Sequence, residues 1–145
     1  MTPHDRDLPD HVVLERDDEV VAAVDPALRA GFEANNVRQT AAVWERYAAD
    51  VLPGLAAADE AYLEEVLGPR VPLADEGATT DAPVLVVAGR QDAAVGFRQQ
   101  VRLAERFSRA TLAVLDTAGH NAQFEQPELF GALVREWLER VSRAG

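Results

Sequence analysis

Two stretches decide the fold of this chain: APVLVVAGRQD at residues 82–92 and TLAVLDTAGH at residues 111–120. Each is a short apolar run that ends in polar residues, a pattern typical of parallel strands covered by helices on both faces. In an open parallel sheet, ligands and catalytic groups gather beyond the carboxyl ends of the strands. Asp92 and His120 stand at these two positions, so we expect them to share one site.

Helical patterns surround the two strands. A helix is predicted from Phe97 to Phe107 and a last one from Pro127, which gives the order strand–helix–strand–helix with a right-handed crossover. Upstream, residues 17–67 have the periodicity of several short helices. The residues expected to begin or break these helices are Asp17 or Asp18, Asp25, Thr40 and Asp59 as N-caps and Pro53-Gly54 as a break. Residues 11–14 fit either a short strand or a segment packed against a helix.

An Asp and a His at neighbouring strand ends are the supporting members of a nucleophile–His–acid triad. Each residue also has a simpler interpretation: His120 as a loop histidine with a local hydrogen bond, and Asp92 as a turn aspartate that accepts backbone N–H bonds. Their occurrence together favours the catalytic interpretation. Gly119 is expected to permit the tight turn before His120. Asp116 shares the loop of His120, and we expect it to lie outside the reach of the imidazole.

On these residues, the segment from Val84 to Val141 resembles the last part of an α/β-hydrolase. In that family the acid follows strand seven, the His follows strand eight, and the triad comes in the order nucleophile, acid, His. Residues 1–75 more loosely resemble the helical lid, or cap, that such enzymes insert after strand six. The resemblance implies an α/β fold class: a C-terminal fragment of an α/β-hydrolase fold, with two parallel strands and flanking helices preceded by a helical lid. The expected division is a lead-in segment at residues 1–16, the lid at 17–77 and the C-terminal core part at 78–145.

The family's nucleophile is usually a Ser in a G-x-S-x-G elbow, well upstream of the lid. This sequence has two serines, Ser108 and Ser142, neither flanked by the glycines of the elbow, and it has no Cys. The resemblance therefore implies a parent activity of ester-like hydrolysis with Asp92 and His120 as catalytic residues, and an inactive chain when alone. Three explanations stay open: a truncated or split gene product, a decayed relative that serves as a non-catalytic binding or interaction module, and weak base chemistry by the pair unaided.

Composition limits the remaining functions. The formal net charge of −11 argues against nucleic-acid and anionic-membrane partners, which require basic surfaces. The acidic and histidine residues near the N-terminus match no metal-ligand pattern and are expected to form a solvated tail: His4, Asp5, Asp7, Asp10 and His11. No metal or cofactor is expected. The first residues contain no apolar leader and no run is long enough for a membrane span, so we expect a cytoplasmic protein.

The expected partners follow from the hydrolase interpretation. A small-molecule substrate is expected if an N-terminal half completes the enzyme. The strand at residues 84–88 would have an open edge without strand six, so we also expect self-association or a partner chain there. Residues 11–14 could pair with this edge instead. Glu125, close to the start of the last helix, is explained by the favourable charge of an acid near a helix N-terminus.

Overall fold

The computed structural model describes residues 7–67 and 79–144 of the chain. The expected boundary near residue 77 and the tail residues His4 and Asp5 lie outside this part. The elements in chain order are β1 (Glu15–Arg16), α1 (Asp18–Ala23), α2 (Pro26–Asn35), β2 (Arg38–Gln39), α3 (Ala41–Asp50), α4 (Leu52–Ala57), α5 (Glu60–Leu67), β3 (Val84–Gly89), α6 (Arg98–Ala104), β4 (Ala110–Leu115), α7 (Ala122–Glu125) and α8 (Pro127–Ala144).

The helices of the N-terminal region begin where their polar caps predict. The Asp17 carboxylate accepts hydrogen bonds from the first-turn amides of α1, and Asp25 does the same for α2, in which Pro26 is the first residue. Thr40 accepts from the Val43 amide, and Asp59 accepts from Tyr62 at the start of α5. Each cap satisfies backbone N–H groups that have no partner inside the helix, which is why a local sequence signal suffices.

The break expected at Pro53-Gly54 is wrong. Helix α3 already ends at Asp50, and Pro53 lies in the first turn of α4. Proline is tolerated there because the N–H that it lacks would have had no partner within the helix.

The lead-in segment forms a strand whose partner the sequence does not reveal. β1 pairs in parallel with β2, with Glu15 opposite Arg38, and the Leu14 amide donates to the Val37 carbonyl at 2.8 Å. Residues 11–14 therefore do not pair with the edge of β3. Instead, residues 14–17 are hydrogen-bonded to residues 37–39. The division of the chain into three segments stays a prediction.

The central sheet consists of β3 and β4, paired in parallel from Val84 opposite Ala110 to Gly89 opposite Leu115. Helix α6 connects them and is shorter than the predicted Phe97–Phe107 span. Helix α8 packs along β3, where the Trp137 indole donates to the Pro83 carbonyl at 2.9 Å. Within residues 127–144 no side chain is fully buried, so the apolar stripe of α8 is covered only in part.

The main core contains residues from before and after the central sheet. Phe32 is fully buried, and its ring meets those of Trp44 and Tyr47 edge-on at centroid distances of 5.2 and 5.5 Å. Phe124, from the segment after β4, packs into the same cluster. Helices α1, α2 and α3 and the short helix α7 after β4 thus share one core. Within the described ranges, no helix has the length and hydrophobicity needed to cross a membrane.

Candidate functional site

Asp92 is held at the tip of β3 by backbone bonds to β4 and to the loop after it. The Arg90 amide donates to the Leu115 carbonyl at 2.8 Å, and the Gln91 amide donates to Ala118 at 3.0 Å. One carboxylate oxygen of Asp92, Oδ1, accepts from the Ala94 and Val95 amides, each at 2.9 Å. This is the turn role considered above, and it leaves Oδ2 for another partner.

That partner is His120. Its Nδ1 lies 3.3 Å from Asp92 Oδ2, so the structure brings the two predicted site residues together. The proximity expected of these two residues is confirmed, with the carboxylate on the Nδ1 side of the ring. The Asp92 side chain is 11% exposed and that of His120 is 42% exposed, which leaves the imidazole open to a reacting group.

Each member of the pair favours the charged form of the other. Burial raises the pKa of Asp92, but hydrogen bonds from His120 and from the Val95 and Ala94 amides outweigh it, so the pKa lies below its ordinary value. The hydrogen bond to Asp92 raises the pKa of His120, and partial burial opposes this only in part. An ionised aspartate beside an imidazole that readily takes up a proton is the state that general-base catalysis needs.

In the loop before His120, the turn is made at Thr117 and not at Gly119 as expected. Thr117 has the left-handed backbone angle, with φ of +57°, whereas Gly119 does not. Gly119 instead allows close packing, since an added Cβ would lie 3.1 Å from a Val37 methyl group. A side chain at Gly89 would clash more severely, because its Cβ would lie 2.1 Å from the Gly119 carbonyl oxygen. The tips of β3 and of the His120 loop are therefore in direct backbone contact.

Asp116 does not compete with Asp92. Its carboxylate accepts from the Gln91 side chain at 2.7 Å, and this bond is the main reason that the pKa of Asp116 is lowered. The side-chain oxygen of Gln91, Oε1, in turn accepts from the Ala118 amide at 3.2 Å. The hydrogen bonds of Asp116 and Gln91 thus stabilise the loop beside the Asp92–His120 pair.

Glu125 is more than the helix-end charge expected from the sequence. It is fully buried, and its Oε1 accepts from the Val37 and Arg38 amides at 2.6 and 2.9 Å, while Oε2 accepts from the Gly119 amide at 2.6 Å. Burial raises the pKa of Glu125, and the three backbone donors oppose that effect. The explanation by helix charge is therefore incomplete: Glu125 lies in the first turn of α7, but its carboxylate bonds to amides outside that helix. Two of its donors lie more than 80 residues away in sequence, so no local pattern indicates them.

Buried amide side chains make a second link between the same parts of the chain. Asn121 Nδ2 donates to Asn36 Oδ1 at 3.1 Å, and Asn36 Nδ2 donates to the Phe32 carbonyl at 2.7 Å. Both asparagines are buried. Among residues 7–67 and 79–144, no three His, Asp or Glu side chains are grouped as they would be to hold a metal ion.

Comparison with known proteins agrees with this architecture. Residues 65–142, more than half of the chain, match the family described as TAP-like protein. The structure is similar to the crystal structure of an alpha/beta superfamily hydrolase from Oenococcus oeni PSU-1, with a TM-score of 0.83 and 21% sequence identity. The match covers 96% of this chain and 53% of the other, so this chain spans about half the length of that hydrolase. No curated protein matches the sequence. The fold is that of part of an α/β-hydrolase, and the chain belongs to the TAP-like family of α/β-hydrolases.

Proposed function

We propose that this chain supplies the general base and the orienting acid of a nucleophile–His–Asp triad that hydrolyses an ester-like bond. The observation that carries the proposal is the 3.3 Å approach of His120 Nδ1 to Asp92 Oδ2 at the tips of adjacent parallel strands. Family membership supports a hydrolase, and the order of Asp92 before His120 agrees with the order of the triad in this fold.

The proposed chemistry assigns each nitrogen of His120 one task. Nδ1 is protonated, and its N–H donates a hydrogen bond to Asp92. This bond fixes the tautomer and leaves Nε2 as the base. Nε2 takes the proton of the nucleophile's hydroxyl as its oxygen bonds to the carbonyl carbon of the substrate. The imidazolium then gives that proton to the leaving alcohol as the ester C–O bond breaks. Water then bonds to the acyl carbon as Nε2 takes one of its protons, and the imidazolium returns that proton to the nucleophile's oxygen as the bond between this oxygen and the acyl carbon breaks. Asp92 stays ionised throughout.

The nucleophile in this proposal comes from outside the 145 residues. Ser108 and Ser142 lack the G-x-S-x-G context, and Ser142 donates its hydroxyl within α8 to the Leu138 carbonyl. A second polypeptide or a preceding segment of a longer protein would contribute the nucleophile, the oxyanion donors and the remaining sheet. In the described part of the chain, β3 pairs with β4 alone, so its other edge is available to such a partner. The substrate would be a small molecule bound between the two halves.

A chimera tests this proposal. This chain replaces the matching portion of the Oenococcus oeni hydrolase, and hydrolysis of p-nitrophenyl butyrate is measured after circular dichroism has shown that the chimera is folded. We expect activity that is abolished by His120→Ala and retained by Glu128→Gln, a change of an exposed acid on α8. The isolated chain is expected to show no His120-dependent rate, because it lacks oxyanion donors that contribute about 100-fold or more.

The outcomes separate the two candidate functions. A folded chimera whose ester hydrolysis does not depend on His120 would contradict the catalytic proposal. Such a result would favour the non-catalytic binding or interaction module, in which Asp92 and His120 only stabilise the strand tips.

A further inference from the structure

Glu125 joins two parts of the molecule through one carboxylate. Oε1 accepts from the amides of Val37, directly before β2, and Arg38, the first residue of β2, and Oε2 accepts from the amide of Gly119, the residue directly before His120. From this geometry we propose that Glu125 is a positioning residue that fixes His120 opposite Asp92 and makes its position depend on the docking of residues 36–38. The catalytic meaning of this inference rests on the proposed function, whereas the positioning itself does not.

The bonding of Glu125 leaves little freedom for the loop. The side chain is fully buried, and a carboxylate removed from water is costly unless its oxygens are satisfied. Here three backbone donors satisfy it, and loss of any one of them would leave an unpaired group in the interior. Gly119 is also closely packed, with the Asn35 carbonyl oxygen 3.3 Å and the Val37 Cγ1 atom 3.1 Å from the position of an added Cβ.

The residue after His120 in the chain is also held in place. Asn121 donates to the Asn36 side chain at 3.1 Å, and both residues are buried. Residues 36–38 therefore contact the residue before His120 through Glu125 and the residue after it directly. A simple helix cap would bond to amides of its own helix, whereas all three donors to Glu125 lie outside α7 and α8. This arrangement is what distinguishes positioning from capping.

Glu125→Gln tests the proposal in the full chain because it is nearly isosteric. The amide carbonyl can keep the two donors at residues 37 and 38, but the –NH₂ group then faces the Gly119 N–H, so donor opposes donor. By NMR hydrogen exchange we expect the Gly119 amide to exchange about tenfold faster, the equivalent of one lost hydrogen bond. Amides in the β3–β4 pairing, such as Val86, should be unchanged. The pKa of His120, measured by NMR titration, should also fall, because the contact with Asp92 and the charge of Glu125 both raise it. Glu128→Gln serves as the matched control without either effect.

The wild type provides a measurement that needs no variant. Because the Val37, Arg38 and Gly119 amides share one acceptor, we expect them to exchange with one common opening equilibrium despite their separation in sequence. Different opening equilibria, or a uniform acceleration of all amides in Glu125→Gln with an unchanged pKa of His120, would overturn the proposal. Failure of the proposed function is seen separately: it would leave the exchange results intact while the chimera shows no His120-dependent activity.

Discussion

Asp92 divides its carboxylate between two tasks. Oδ1 accepts the Ala94 and Val95 amides and fixes the side chain in its turn, while Oδ2 faces His120. An acid that is already held by its own loop needs no reorganisation when a proton arrives at the imidazole. The local turn role and the proposed catalytic role are thus served by different oxygens of one side chain.

Replacement of this acid tests the pair. In Asp92→Asn the hydrogen bond to a carboxylate and the negative charge, which both raise the pKa of His120, are lost, so NMR titration should give a lower pKa for the imidazole. In an active chimera, kcat should fall by up to about 10⁴-fold because the tautomer is no longer fixed. Asp116→Asn is the control, since Asp116 bonds to Gln91 rather than to His120. An equal fall of the His120 pKa in both variants would contradict the pairing.

Glu125 should make stability depend on pH in a defined direction. Its pKa in the folded chain is raised above the ordinary 4.5, mainly by burial. Between those two pKa values the folded state binds more protons than the unfolded state, so stability falls as the pH rises through this interval. We expect the free energy of unfolding of the wild type, relative to Glu125→Gln, to be greatest below pH 4.5 and to decrease as the pH rises. Urea unfolding from about pH 4 to pH 8 measures this, and a difference that grows with pH would contradict it.

At the scale of elements, the end of β3 lies in close backbone contact with the loop before His120. In Gly89→Ala the new Cβ would lie 2.1 Å from the Gly119 carbonyl oxygen, and backbone cannot move aside as a side chain can. We expect the free energy of unfolding to fall by about 1–3 kcal/mol or more, as for an overpacked core, and the Asp92–His120 contact to be lost. Urea unfolding and the His120 titration check the two effects.

Gly54→Ala provides the matched control. Gly54 lies within α4 and an added Cβ meets nothing within 4 Å. Since alanine has the higher helix propensity, this change should raise the free energy of unfolding by about 0.5–1 kcal/mol. A loss of stability in both variants would mean that packing at Gly89 is not the cause.

Local chemistry explains which elements could be predicted from the sequence. Asp17, Asp25 and Thr40 each act on amides within the next three residues, so their helices begin as expected. β1 and β2 have two residues each and lie 23 positions apart in register, and no periodicity can indicate so short a pairing. Pro53 does not end a helix here, because proline fits the first turn of a helix as well as the position after its end.

The residues of the site likewise include some that the sequence predicts and one whose role it does not. Asp92 and His120 could be predicted because each follows a buried strand, and parallel strands bring their carboxyl ends together. Glu125 could not, because the partners that give it a role are Val37 and Arg38, far away in sequence. The catalytic meaning of the pair, the lid assignment and the location stay predictions.

At the scale of the whole molecule, β3 pairs with β4 along one edge, and no strand of residues 7–67 and 79–144 pairs with its other edge. Val84 and Arg90 donate to Arg109 and Leu115, so by alternation Val86 and Ala88 also face β4. The amides of Leu85 and Val87 then point to the opposite edge, where the described residues provide no strand.

Hydrogen exchange at low concentration should therefore find Leu85 and Val87 exchanging rapidly, with Val86 and Ala88 protected. At high concentration, self-association through this edge should protect all four, and light scattering across a dilution series should detect the larger species. Protection of Leu85 and Val87 in a dilute monomer would mean that the chain closes its own edge.

The bond from Val37 to Glu125 also has a consequence for the order of folding. It joins residues 88 positions apart, whereas β3 and β4 are joined through one intervening helix. Closing the longer loop costs more chain entropy, so β3, α6 and β4 should assemble before residues 36–38 reach Glu125. Bonds made after the rate-limiting step slow unfolding without speeding folding. Glu125→Gln should accordingly unfold faster and refold at nearly the wild-type rate in stopped-flow experiments, which would place the docking of residues 36–38 on Glu125 late in folding and early in unfolding.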